Sequence, residues 1–300
     1  MNEQKRNKLM MLASGASIAT AVILFVLKAG TFFLTGSIAI LSSLFDSIQD
    51  FISSLINMIA THQSIQPADK MHRFGHGKAQ GIGSLLQTFI IALSAVFLFI
   101  ESVLHLLHHN EIKHVNMGIY VILISILLTF VLVGFQNFVI RQTSSLSIKA
   151  DQAHYRGDIL MNVGVLISLL ASYYFGWYWL DGAFGILVAL YLLYTIWKIM
   201  KEACAMLMDK ELSETIRKDI HSLVLKTPRV KNISELRTRE GGNKQFVQFN
   251  VQFDGNVSLK FAHTKLDLIE QTLHDKYPNM EVIIHAEPYE DKNNRKEKNK

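Results

Sequence analysis

Apolar residues run in six long stretches along this chain, at about residues 9–34, 38–61, 80–107, 115–139, 149–175 and 178–204. Each reaches the roughly 20 residues that an α-helix needs to cross about 30 Å of hydrocarbon, so the pattern predicts six membrane spans. The second stretch is interrupted by Ser37, Ser42, Ser43, Asp46, Ser47, Gln49, Asp50, Ser53, Ser54 and Asn57, which make most of one helical face polar. Such a helix cannot face lipid all round; it belongs inside the bundle or beside water.

After Met208 the apolar runs stop, and the periodicity becomes that of a small soluble domain. Ser213 is placed to cap a helix that carries Ile216, Ile220 and Leu223 on one face and ends before Pro228. Residues 234–239 and 245–253 read as strands around Gly241-Gly242-Asn243; in the second, Val247, Phe249, Val251 and Phe253 alternate with Gln248, Asn250 and Gln252. Leu259, Ala262, Leu266, Ile269 and Leu273 mark a second helix, and residues 281–287 a third strand. The order is αββαβ, an α+β unit with helices on one face of a sheet. The expected domains are therefore 1–208, the transmembrane part; 209–290, the cytoplasmic part; and 291–300, a polar basic tail expected to be disordered.

Composition agrees with this division. Half of the residues are hydrophobic and only 18% are charged, too apolar for a soluble protein of 300 residues. The basic start Lys5, Arg6 and Lys8 precedes a first span too long for a cleavable signal, so it is expected to stay as helix 1. Lys and Arg are nearly missing from the loops 1–2, 3–4 and 5–6, where only Lys113 occurs, whereas Lys70, Arg73, Lys78, Arg141, Lys149 and Lys201 share the side of the N-terminus. The positive-inside rule then places both termini in the cytoplasm. That bias and the basic tail account for the net charge of +5, which excludes a nucleic-acid-binding reading. Cys204 stands alone, so neither a disulfide framework nor a thiolate metal cluster is expected.

Candidate chemistry lies where charges interrupt the spans. Residues four apart on a helix are about 6 Å apart along the axis and on one face, so Asp46 and Asp50 project together. The spacing recurs as His154 and Asp158 in HYRGD of the fifth span, with Arg156 pointing away. If spans 2 and 5 pack together, three carboxylates and one imidazole form a tetrahedral set suited to a divalent transition metal, without the sulfur that Cu(I) prefers. Three carboxylates crowded in low dielectric do not all stay ionised once the metal leaves, so protons refill the site and exchange against the incoming cation. In the loop PADKMHRFGHGKAQ, Asp69, His72 and His76 form a second candidate set for zinc. His105, His108, His109 and His114 surround the external 3–4 loop as a weaker, interfacial set.

With DSIQD, HYRGD, QPADKMHRFGHGKA and LRTR at 236–239, the chain resembles the cation diffusion facilitator family, in particular its bacterial ferrous-iron and zinc efflux type. The resemblance covers nearly the whole chain. It implies a six-helix membrane bundle with a metallochaperone-like, ferredoxin-like cytoplasmic domain, assembled as a homodimer in the bacterial inner membrane. It places an intramembrane transport site on Asp46, Asp50, His154 and Asp158 and a second site on Asp69, His72 and His76. It also implies a charge interlock of Lys78 with Asp209. A third, binuclear site in the cytoplasmic domain is matched by His263, His285 and Glu287 only, because Ser234 and Asn250 stand at two of its histidine positions. The expected activity is proton-coupled export of a divalent cation, Zn2+ first, with Fe2+, Cd2+ or Mn2+ behind it. The alternative is a membrane metal sensor or scaffold that does not transport.

Overall fold

The structure, a computed structural model, describes residues 3–35, 38–107, 116–177 and 179–289. His108, His109, Lys113, His114 and the tail 291–300 lie outside them. The chain forms two compact units that divide after Cys204.

The first unit is built from α1 (Glu3–Thr35), α2 (Ile38–Ser64), α3 (Ala79–Leu107), α4 (Asn116–Thr143), α5 (Leu146–Phe175) and α6 (Trp179–Leu207). The helices correspond one for one to the six apolar stretches. Four of them, α1, α3, α4 and α6, are long and apolar enough by themselves to cross a membrane. The other two, α2 and α5, carry the candidate ligands, and their polar residues are turned inward: Ser47, Asp50, Ser53, Ser54 and Asn57 on α2, and Ser147, Asp151, Gln152 and His154 on α5 are buried. Around them, large apolar side chains such as Val26, Phe89, Phe97, Phe130 and Leu187 are exposed. This is an inside-out arrangement, in which lipid rather than a protein core covers the apolar surface.

Close contacts fix the bundle. Helix α2 packs on α1 and α3, and α5 on α4, α3 and α2. Gly83 makes the α2–α3 contact possible, since a Cβ there would come within 2.2 Å of the Ala60 Cβ. Ile91 and Ala95 of α3 pack with Val188, Leu192 and Ile196 of α6. The tight α4–α5 connection uses Ser144 at φ +53°, and the start of α5 is capped twice. Ser145 caps it from within the chain, while the Gln80 Oε1 of α3 accepts from the Ser145 hydroxyl (2.9 Å) and the Leu146 amide (3.1 Å).

The second unit contains α7 (Glu214–Leu225), β1 (Val230–Glu240), β2 (Gln245–Phe253), α8 (Leu259–Lys276) and β3 (Met280–Pro288), the expected αββαβ order. The sheet runs β1-β2-β3, with β1 antiparallel and β3 parallel to the central β2. Val247, Phe249, Val251 and Phe253 face the helices and form a core with Ile220, Val224, Ile269 and Leu273. Ser213 and Ser258 cap α7 and α8. Strand β1 starts four residues before its expected position. Its register is broken between Val230 and Asn232 and between Ser234 and Arg237, with Glu235 at φ +51°, and such bulges hide the alternation that a sequence pattern relies on.

Candidate metal centre

Packing of α2 on α5 brings the two charged pairs together. His154 Nε2 lies 2.9 Å from Asp50 Oδ1, and Asp50, His154 and Asp158 offer ligand atoms that all fall within 4.8 Å of one another. Asp46 stands outside this group, one helical turn along α2, but it lines the same cavity of about 790 Å³. Three of the four expected ligands are thus preassembled and the fourth is a neighbour. Arg156, between the ligands on α5, is exposed and points away, as the helical spacing requires.

The cavity is bounded by the C-terminal half of α1, the N-terminal half of α2, α3 from its middle onward, Ser125 and Thr129 of α4, the middle of α5 and Leu192 of α6. In the other half of the bundle, the space between the helices is filled by a polar network centred on Asp151. This carboxylate is fully buried and accepts from the Ser17 hydroxyl of α1 (2.5 Å), the Gln87 amide of α3 (3.0 Å) and the Gln136 amide of α4 (2.7 Å). Tyr155, also fully buried, donates to the Ser17 carbonyl oxygen at 3.1 Å and lies 2.7 Å from the Ser54 hydroxyl. Charge-assisted hydrogen bonds from three helices hold a carboxylate that would otherwise be very costly in this setting.

These residues escape the sequence reading. The available signal is position: Asp151 precedes His154 by three residues, on its helical face, and Gln87 and Gln136 interrupt otherwise apolar spans. Lys28, a charge inside the first span that also lines the cavity, was missed in the same way.

The loop set is assembled as well. His72 Nδ1 and His76 Nε2 lie 3.4 and 3.5 Å from the two carboxylate oxygens of Asp69, and the imidazole rings are 4.5 Å apart. Gly75, at φ +81°, supports the turn that folds His76 back. The backbone amides of His72 and Met71 donate to Asp69 and hold its carboxyl below the usual range, so it stays an anion ready to take a cation. His76 Nδ1 is 3.2 Å from the Pro67 carbonyl oxygen; donation there leaves Nε2 bare on the side facing Asp69.

The third expected set is not gathered. Among the described residues, neither of the two groups with ligand atoms within 4.8 Å includes His263, His285 or Glu287. His263 Nδ1 lies 3.0 Å from Asp267 Oδ2 on the surface of α8. On the sheet face away from the helices, His285 is in register with Asn250, whose amide donates to Glu287 at 2.7 Å, with the Gln252 amide at 3.5 Å. The residue at a histidine position of the family pattern thus occupies the carboxylate itself. Of His105, His108, His109 and His114, only His105 is described; it lines a smaller cavity with Glu101 and Asp181, and among the described residues its buried Nδ1 has no hydrogen-bond partner.

Comparison with known proteins agrees with this architecture. The family model for the cation efflux transmembrane domain matches residues 15–208, and that for the cytoplasmic domain of cation efflux proteins matches residues 212–289. The chain is 36% identical over 285 residues to the cation-efflux pump FieF of Klebsiella pneumoniae, and 37% identical over 285 residues to that of Salmonella choleraesuis strain SC-B67. In both cases 95% of this chain and 95% of the relative are covered. Among solved structures, a CzrB chain matches at 25% identity and a TM-score of 0.26, covering 26% of this chain and 99% of that one. A MamM CTD chain matches at 20% identity and a TM-score of 0.25, covering 26% of this chain and 98% of that one. Matched by both domain models and by full-length relatives, the chain belongs to the cation diffusion facilitator family of metal-cation efflux transporters.

Proposed function

We propose that this transporter exports a divalent transition-metal cation, Zn2+ first, from the cytoplasm across a bacterial inner membrane in exchange for protons, and that it works as a homodimer. The observation that carries the reading is the convergence of Asp50, His154 and Asp158, with Asp46 beside them, in a cavity inside the helical bundle. One nitrogen and several carboxylate oxygens suit Zn2+, and also accommodate Fe2+, Cd2+ and Mn2+, so selectivity rests on geometry and availability as well as affinity. Carboxylates in low dielectric cannot stand unpaired when the cation leaves, and protons are the compensating charge at hand.

With the termini in the cytoplasm, the cavity opens outward and the Asp151 network closes the inner side. This arrangement suits a site that has just released its cation. The inward-facing state then requires α2 and α5 to break this network and open a path toward the loop that carries Asp69, His72 and His76. These three would receive the ion at the cytoplasmic mouth.

The test is flux of Zn2+ into proteoliposomes with a pH indicator inside, repeated with Fe2+, Cd2+ and Mn2+. Asp50→Ala and Asp158→Ala are expected to abolish metal flux and proton counterflow together. Wild-type flux in either variant would sink the site assignment. Metal binding by the parent protein without any flux would favour the sensor or scaffold reading.

A further inference from the structure

The cavity contains a basic side chain that the ligand set does not use. Lys28 of α1 lines its wall together with Asp46, Asp50, His154 and Asp158. Its Nζ donates to the backbone carbonyl oxygen of Ser43 at 3.1 Å, and Ser43 precedes Asp46 by three residues on α2. The ammonium is therefore anchored about one helical turn from the first aspartate. A lysine within a membrane span is costly to insert, and such residues mark ion pathways.

The charges of the lining give this lysine a role. Among the described residues that line the cavity, Lys28 is the one lysine or arginine, and it stands against the carboxyl groups of Asp46, Asp50, Asp158 and Glu101. Asp46 and Glu101 are the exposed members of this set, and Asp50 the buried one. Without the ammonium, the carboxylates of the cage would act on a bound divalent cation with no like charge to oppose them. The cation would then be held more tightly, and transport requires a site weak enough to let its ion leave.

We propose that Lys28 is a tethered cation that opposes the charge of a bound divalent ion and keeps the affinity of the ligand cage low enough for release. This inference rests on the reading of Asp46, Asp50, His154 and Asp158 as the transport site. Among the described residues, no hydrogen bond or ion pair joins Lys28 to a ligand. It acts through the field it places on them and through its tether to the backbone next to Asp46.

The experiment uses the full-length protein with His72→Ala and His76→Ala, so that the loop set does not contribute. Zn2+ binding is measured by calorimetry in detergent and Zn2+ flux in proteoliposomes. On this background Lys28→Gln and Lys28→Met are expected to bind Zn2+ at least about tenfold more tightly and to turn over more slowly, because a like charge near the cation has been removed. Lys28→Arg, which keeps the charge, is expected to match the parent in both measurements. Unchanged or weaker binding in the uncharged variants overturns the inference, and having two of them guards against one failing to fold. Asp50→Ala separates this failure from that of the underlying reading. If Asp50→Ala binds Zn2+ like the parent, the cage itself is misassigned. If it loses binding while Lys28→Gln stays at the parental value, the cage stands and the role of Lys28 falls.

Discussion

At Asp151, one carboxylate receives hydrogen bonds from three other helices; without it Ser17 keeps the Ala13 carbonyl oxygen, Gln87 the Ser53 hydroxyl and Gln136 the Ser17 hydroxyl, so its removal weakens the network without emptying it. Leaving a buried polar group unsatisfied costs about 1–3 kcal/mol. Asp151→Ala is accordingly expected to lower the thermal unfolding midpoint of the purified protein, by the equivalent of about 1–3 kcal/mol, and to impair flux. Asp151→Asn, which keeps the shape but turns one acceptor into a donor, should fall between the two. A midpoint equal to the parent's in both variants would show that the network contributes nothing. In the second unit, Asp219 illustrates a titratable contact beyond the six helices of the bundle. The Lys276 ammonium at 2.7 Å and the Tyr277 hydroxyl at 2.6 Å hold its carboxyl below the ordinary range. A folded value below the unfolded one means that the stabilisation is present above about pH 4 and is lost as pH falls through the folded value. Tyr277 moves the other way. Burial first and then the Asp219 carboxylate push it up to about 12, so its contribution holds below about pH 10 and fades as pH rises toward 12. Hydrogen exchange on the full-length protein should show α7 and α8 less protected in Asp219→Asn than in the parent at pH 6, with the difference closing near pH 3. The effect will be small, because the ion pair is solvent-exposed.

At the scale of elements, helix spacing depends on residues that carry no chemistry. Gly83 sits where an added Cβ would meet the Ala60 Cβ at 2.2 Å, and neither atom belongs to a flexible side chain that can swing away. Gly83→Val should therefore push α3 from α2, at a cost of about 1–3 kcal/mol, and slow Zn2+ flux through the misplaced α2. Gly83→Ala combined with Ala60→Gly should recover much of the loss of Gly83→Ala alone, a coupling that a double-mutant cycle on thermal stability measures. Strictly additive effects would show that the contact does not set the helix distance. The elements themselves were legible in the chain, since the six apolar runs and the αββαβ periodicity state the preferred environment of each residue directly. The start of β1 was not, because bulges around Asn232 and Glu235 shift its alternation to follow β2, which is a property of pairing.

At the scale of the whole molecule, the proposed function puts the loop set and the cage in series, so losing the first should slow transport without abolishing it. The pair His72→Ala and His76→Ala is expected to lower Zn2+ flux at low external supply and to leave the proton counterflow per zinc unchanged. Flux equal to the parent's at every concentration would make the loop set dispensable. The dispersal of His263, His285 and Glu287 bears on assembly. Glu287 already accepts from two amides, so the proposed dimer does not need a bridging ion at that carboxylate. Light scattering should report twice the 34.0 kDa chain mass both before and after chelation. A shift to monomer on removal of metal would show that a bridging site survives despite Ser234 and Asn250.

By itself the sequence determined the spans, the soluble domain and the two charged pairs, because a helix fixes which residues four apart share a face, and hydropathy fixes which runs can enter lipid. The spacing of Asp69, His72 and His76 marked the loop set as well. Only the tertiary structure decided that α2 and α5 are neighbours, that Asp50, His154 and Asp158 meet while Asp46 stands a turn away, and that Lys28 faces the same cavity. It also decided that Asp151, outside every motif, ties four helices together, and that Glu287 is engaged by Asn250. Each of these is a relation between side chains on different helices or strands, and the periodicity of one segment carries no record of which segment packs against it.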